Sequence, residues 1–327
     1  MKTPLNKAVP GDFVGCSPRG VSERWLAVYQ GFHCRVITSA VPVTARQSAF
    51  LLVLGCLLSL PLAGDVQAGV PLKIEIDSRT SLQTIDGFGA SDAWQCQIVG
   101  QNWPLDKREH IADLLFSRAV DAQGNPKGIG LSIWRFNLGA GTAEQGDASD
   151  IRNPWRRAES FQRPDGSYDW SKQAGQQWFL KAARERGVGK FLAFPNAPPV
   201  HLSQNGKGYA FKGPPHFNVK PGKLDAYATF LADVLEHFEK ERLPFDYLSP
   251  FNEPQWAWDD AGQEGTPALN IELYALVRYL SKELSQRKLA TQLVLGEAGT
   301  IGHAFTNMES LAGTIQLKAY FHQVFQG

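Results

Sequence analysis

The feature that most constrains the fold of this chain is a rhythm. Short apolar, β-branched runs recur at 83–89, 129–138, 190–194, 245–251 and 292–295, and amphipathic stretches lie between them. Runs that are apolar on both faces belong to strands covered on both sides, and such strands are parallel. Parallel neighbours need a crossover, and the intervening segments are long enough to supply helices. Their patterns agree. Tyr227, Phe230, Leu231, Val234, Leu235 and Phe238 follow three-and-four spacing, as do Leu273, Leu276, Val277, Leu280 and Leu284. Trp178, Phe179, Ala182 and Ala183 form a shorter face before the helix stop at Gly187, and Ile111, Leu114 and Leu115 share another. The expectation is an α/β fold, a parallel sheet with helices outside it.

In such folds the loops after the strands' C-terminal ends carry the site. Here they hold Trp155, Arg156, Arg157, Tyr168 and Trp170 after the second run, and Pro195-Asn196-Ala197-Pro198-Pro199-Val200-His201 after the third. The fourth leads into Ser249-Pro250-Phe251-Asn252-Glu253-Pro254-Gln255-Trp256-Ala257-Trp258, and the fifth ends at Glu297. Carboxylates beside tryptophans and amides suit a sugar, whose C–H faces stack on rings and whose hydroxyls need fixed polar partners. Glycosidic cleavage needs one carboxylic acid to protonate the leaving oxygen and a second carboxylate acting at the anomeric carbon or on water. Glu253, at a strand mouth beside Asn252 and followed by Trp256 and Trp258, fits the first role.

Four motifs in order carry a resemblance. Ile85-Asp86-Gly87-Phe88-Gly89-Ala90-Ser91-Asp92, Trp134-Arg135-Phe136-Asn137-Leu138-Gly139-Ala140-Gly141, Pro195-Asn196-Ala197-Pro198-Pro199 and Ser249-Pro250-Phe251-Asn252-Glu253-Pro254 resemble successive strand motifs of glycoside hydrolase family 30, clan A retaining β-glycanases. The set looks most like bacterial endo-β-1,6-galactanase-like members. The resemblance implies a (β/α)8 TIM barrel with a β-sandwich side domain, and retaining hydrolysis of β-linked glycans by double displacement. It implies that Glu253 is the acid/base, that Asn252 contacts the sugar 2-hydroxyl, and that Arg135 orients the nucleophile. Asp92, with Trp94, matches the aspartate that binds hydroxyls at the scissile bond, and Asn196 stands where many members carry a tryptophan.

One departure matters. The family nucleophile ends the seventh strand, some 80 to 110 residues beyond the acid/base, whereas about five β/α units are counted here before Gly327. The barrel is therefore expected to be incomplete, with the nucleophile beyond Gly327. Glu297 lies 44 residues past Glu253 and reads as a site-lining carboxylate or a structural strand-end residue. The sharper alternative makes it the nucleophile, since retaining chemistry needs two carboxyl groups about 5 to 5.5 Å apart. A carbohydrate-binding protein without catalysis is the competing class.

The front of the chain reads differently. Arg46, the apolar run 49–62 and small residues ending at Ala68 have the order of a secretory signal peptide. About 14 apolar residues fall short of the roughly 20 a membrane span needs. The expected organisation is thus an over-extended N-terminus over 1–45, a signal peptide over 46–68 with cleavage near Ala68, a sandwich strand over 69–82 and a partial catalytic barrel over 83–327. A secreted or periplasmic protein follows. Cys96 would then be the one cysteine of the mature part, a buried inert thiol. The net charge of +1 gives no field for nucleic acid. No zinc spacing, phosphate loop or nucleophile elbow occurs, so no cofactor and no metal are expected. Asp259, Asp260 and Glu264 read as a solvated acidic loop.

Overall fold

The structure, a computed structural model, describes residues 84–214 and 216–299 and the two short strands named last below. The expected signal peptide and sandwich strand lie outside the described residues. Strand β1 (Gly89–Ser91) is followed by helices α1 (Gln95–Asn102) and α2 (Leu105–Phe116), strand β2 (Ile133–Leu138) and the one-turn helix α3 (Thr142–Gln145). Helix α4 (Ala174–Glu185), strand β3 (Lys190–Pro195), helix α5 (Leu224–Lys240), strand β4 (Tyr247–Leu248), helix α6 (Asn270–Arg287) and strand β5 (Gln292–Leu293) come next. Strands β6 (Met308–Ser310) and β7 (Gly313–Ile315) form a separate antiparallel pair.

Strands β1 to β5 make one sheet in sequence order, and every pairing is parallel. All five C-terminal ends therefore point the same way. Side chains alternate across a strand, and in β2 this alternation divides structure from chemistry. Trp134 and Phe136 face the helix layer. Trp134 meets Phe116 edge-on at 4.9 Å, and Phe136 packs against Phe238 and Phe245, each at 5.6 Å. Arg135 and Asn137 face the other way, where polar partners await them.

The helical faces follow the sequence closely where the apolar stripe is wide. All six apolar residues expected of α5 and all five of α6 are buried. Helix α2 differs: it buries Ala112 and Phe116, while Leu114 is 47% exposed. Its register is set by Phe116 docking on Trp134, which turns Leu114 outward. Helix α1 has no wide apolar stripe to announce it. It forms because Gly100 and Gly175 let α1 and α4 touch backbone to backbone; a Cβ on Gly175 would collide with the Gln97 carbonyl. The strands also move from their expected limits. The first paired residue is Gly89, and β4 and β5 keep only two residues each in the ladder.

Candidate active site

The fourth strand-end loop adopts an unusual backbone. Glu253 has φ of +46° and Trp258 φ of +51°, a region that costs a side-chain-bearing residue about 1–2 kcal/mol. Surrounding bonds hold them there. The Glu253 N–H donates to the Glu297 carbonyl at 3.0 Å, and the Glu253 carbonyl accepts from the Trp258 indole at 2.9 Å and from the Trp256 N–H at 3.2 Å. Strain held in this way concentrates at functional sites. Gly265 lies flat beneath the Trp258 ring, so close that a Cβ there would stand 2.5 Å from it. Glu253, Trp256 and Trp258 line a cleft of about 510 Å³ together with Arg156 and Gln263.

Beside it, Arg135 reaches from β2 to two strand-end residues. Its Nη2 donates to Glu297 Oε2 at 2.5 Å and to Asn252 Oδ1 at 2.8 Å. The guanidinium lies over the Phe194 ring, 3.2 Å from its centre, a stacked position that suits a planar cation. Gly299 closes the corner: a Cβ there would sit 3.0 Å from Glu253 Oε1 and 2.7 Å from Trp256 Nε1. Arg135, inside β2, and the strand-end residues Asn252, Glu253 and Glu297 are therefore brought to one place.

Asp92 and Asn196 are placed in the interior instead. Asp92 is 1% exposed and accepts from the Asn137 N–H at 2.8 Å and the Gln176 amide at 3.0 Å. Burial pushes its carboxyl up to about 7, against the pull of those bonds and of Arg135. Asn196 donates to Asn137 Oδ1 at 2.9 Å. Trp94 is also buried, with Arg156 over its ring at 5.9 Å.

The acidic loop corrects the sequence reading. Glu264 is fully buried, accepting from the Thr142 hydroxyl at 2.5 Å and from the Ala140 N–H at 3.1 and 3.2 Å. Desolvation raises its carboxyl to about 8. It joins the loop after β2 to the loop after β4, whereas Asp260 stays exposed. Nothing in its sequence neighbourhood distinguishes it from Asp259 and Asp260. Arg156 was legible only as part of a polar aromatic loop; its bond to Gln263 at 2.9 Å brings it to the cleft. Cys96 is half-buried and free, with its thiol pushed up by burial. Among the described residues no group of His, Cys, Asp and Glu could hold a metal ion, and no helix is long and apolar enough to cross a membrane.

A parallel sheet whose C-terminal edge carries a carboxylate in a cleft lined by tryptophans has the arrangement of a carbohydrate-active α/β protein. The chain belongs to O-glycosyl hydrolase family 30, whose model matches residues 71–325. A conserved exported protein from Bacteroides fragilis, solved by crystallography, is 41% identical with a TM-score of 0.71, over 76% of this chain and 50% of that one. The catalytic domain of a family 30 xylanase C from Talaromyces cellulolyticus shares the fold at 21% identity and a TM-score of 0.56, over 76% and 52%. An exo-β-1,6-galactobiohydrolase from Bifidobacterium longum subsp. longum is 24% identical over 231 residues, 54% of this chain and 14% of that protein. The chain thus spans about half of the two solved relatives' length and 14% of the Bifidobacterium protein's.

Proposed function

We propose that this chain carries the acid/base half of a glycosidase that cleaves β-linked glycans with retention, and that Glu253 protonates the leaving oxygen and then activates water. The observation that carries the reading is the placement of Glu253 in a cleft that Trp256 and Trp258 also line, on a strained backbone held by Glu297 and Trp258. Asn252 is assigned to the sugar 2-hydroxyl, with the tryptophans as stacking faces. Asp92 acts from beneath by holding β2 through the Asn137 N–H, Asn196 acts through the Asn137 side chain, and Trp94 is assigned to the same subsite as the aromatic partner of Arg156. The (β/α)8 barrel with its sandwich is the architecture proposed for the whole protein, supported by the consecutive parallel order of five strands. A β-1,6-linked galactan is the proposed substrate, supported by the motif set and by the activity named for the Bifidobacterium relative. Export is supported by the signal-like segment and by the exported Bacteroides relative.

Family order assigns the second carboxylate to the end of a seventh strand, later in the barrel than the five parallel strands of this sheet. One observation favours a second reading: Arg135, the residue expected to orient the nucleophile, binds Glu297. A panel of β-linked oligosaccharides, assayed on the whole enzyme with its second carboxylate in place, tests both. Glu253→Gln should abolish turnover and keep binding; a protein that binds but never turns over any member of the panel is a lectin-like binder. If Glu297 is the nucleophile, a fluorosugar with a good leaving group labels it covalently, and absence of that label with turnover intact excludes it.

A further inference from the structure

A second groove continues from the cleft. It has a volume of about 950 Å³ and shares Asp259 and Asp260 with the Glu253 cleft; its far wall is the loop after β3, with Tyr209 and Phe211. We propose that this groove is a distal subsite that takes further units of a neutral glycan chain whose scissile bond lies at Glu253. The proposal rests on the reading of that cleft as a glycan site.

Three observations support it. The two spaces are joined by a direct bond, since the Ala210 N–H donates to the Trp258 carbonyl at 2.8 Å. The residue next to the stacking face of the Glu253 cleft is thus tied to Phe211's neighbour. The loop is also built in advance. Buried Asn218 donates to Asn205 Oδ1 at 2.8 Å and to the Tyr209 carbonyl at 2.9 Å, and Asn205 donates to that same carbonyl at 2.7 Å. A preformed wall spares a ligand the cost of ordering it. On this wall Phe211 is 51% exposed, facing a groove whose opposite side carries Asp259 and Asp260. An aromatic face set against hydroxyl acceptors is what a sugar ring needs.

The charges select a neutral chain. Lys207 is engaged by Asp150 at 2.8 Å and by the Ala148 carbonyl. The other charges lining the groove are Lys212, Asp259 and Asp260, which offer no cationic field to hold a polyanion.

The test is calorimetric titration of the full chain with di- and hexasaccharides of β-1,6-galactose, β-1,6-glucose and β-1,4-xylose. The expected result is a hexamer binding at least about tenfold more tightly than its dimer, a gain of the size one stacking contact provides. Phe211→Ala should remove that gain while leaving the dimer affinity within about twofold, and Phe211→Trp should restore it. Equal affinities for the two lengths, or a length preference that survives Phe211→Ala, overturn the distal subsite and leave the cleft reading standing. Failure of every saccharide to bind at either length overturns the cleft reading itself. Phe211 is exposed, so a melting curve matching wild type confirms that the variant is folded.

Discussion

Arg135 and Glu297 lie 162 positions apart and meet in an ion pair of 2.5 Å, with Asn252 sharing the same guanidinium nitrogen. The pair is about four-fifths buried on each side. One cation therefore ties the middle of β2 to the loop after β4 and the loop after β5, the first of which carries Glu253. Charge-assisted bonds of this kind contribute roughly twice what neutral ones do.

Arg135→Met should accordingly strip two partners at once. The expected outcome is a loss of about 1.5–3 kcal/mol in stability and of at least about tenfold in oligosaccharide affinity. Urea melts and titration calorimetry measure the two; an unchanged midpoint and affinity would sink the assigned role.

The buried carboxyls predict a pH dependence of stability. Glu264 moves from 4.5 to about 8 on folding and Asp92 from 3.8 to about 7. A raised folded-state value means that between those limits the folded chain holds protons that the unfolded chain has released. Stability from these two groups is full below about pH 4, falls as pH rises, and is lost through 7 to 8. Melting midpoints should drop between pH 5 and pH 8, and Glu264→Gln should flatten the slope. A midpoint that rises over that range contradicts the assignment.

Gly265→Ala should act on the site through one ring. The added methyl would lie 2.5 Å from Trp258, so the indole must move, and its bond to the Glu253 carbonyl goes with it. Affinity for the panel disaccharides is expected to fall about tenfold, the scale of one aromatic contact. Indole fluorescence should report the displaced ring. Wild-type affinity would show that Trp258 does not touch sugar.

The contact between α1 and α4 can be tested without touching the site. Gly175→Ala places a methyl against the Gln97 carbonyl and should cost about 1–3 kcal/mol through overpacking. A chemical denaturation curve decides it; a variant as stable as wild type would mean that the helices part without cost.

Much of the scaffold was legible because burial imposes a period. The faces of α5 and α6 read directly from their three-and-four spacing, and the apolar runs marked the sheet. Leu114 departs from the expected face because two apolar faces compete on α2, and the Trp134 ring decides which one docks. Helix α1 left no signal, since glycine contact rather than an apolar stripe positions it.

The site divides in the same way. By itself the sequence determined which residues end the strands, because strand ends follow local apolar runs; Glu253 with its neighbour Asn252, and Glu297, stand out on that ground, whereas Arg135, inside β2, is marked only by the family resemblance. Only the tertiary structure decided which carboxylates face water. Asp259, Asp260 and Glu264 look alike as letters, yet Glu264 meets the Ala140 N–H and the Thr142 hydroxyl and is buried. Asp92 sinks onto Asn137 and Gln176 by the same mechanism. A polar side chain is buried only where partners from distant segments satisfy it, and no local pattern encodes where those segments meet.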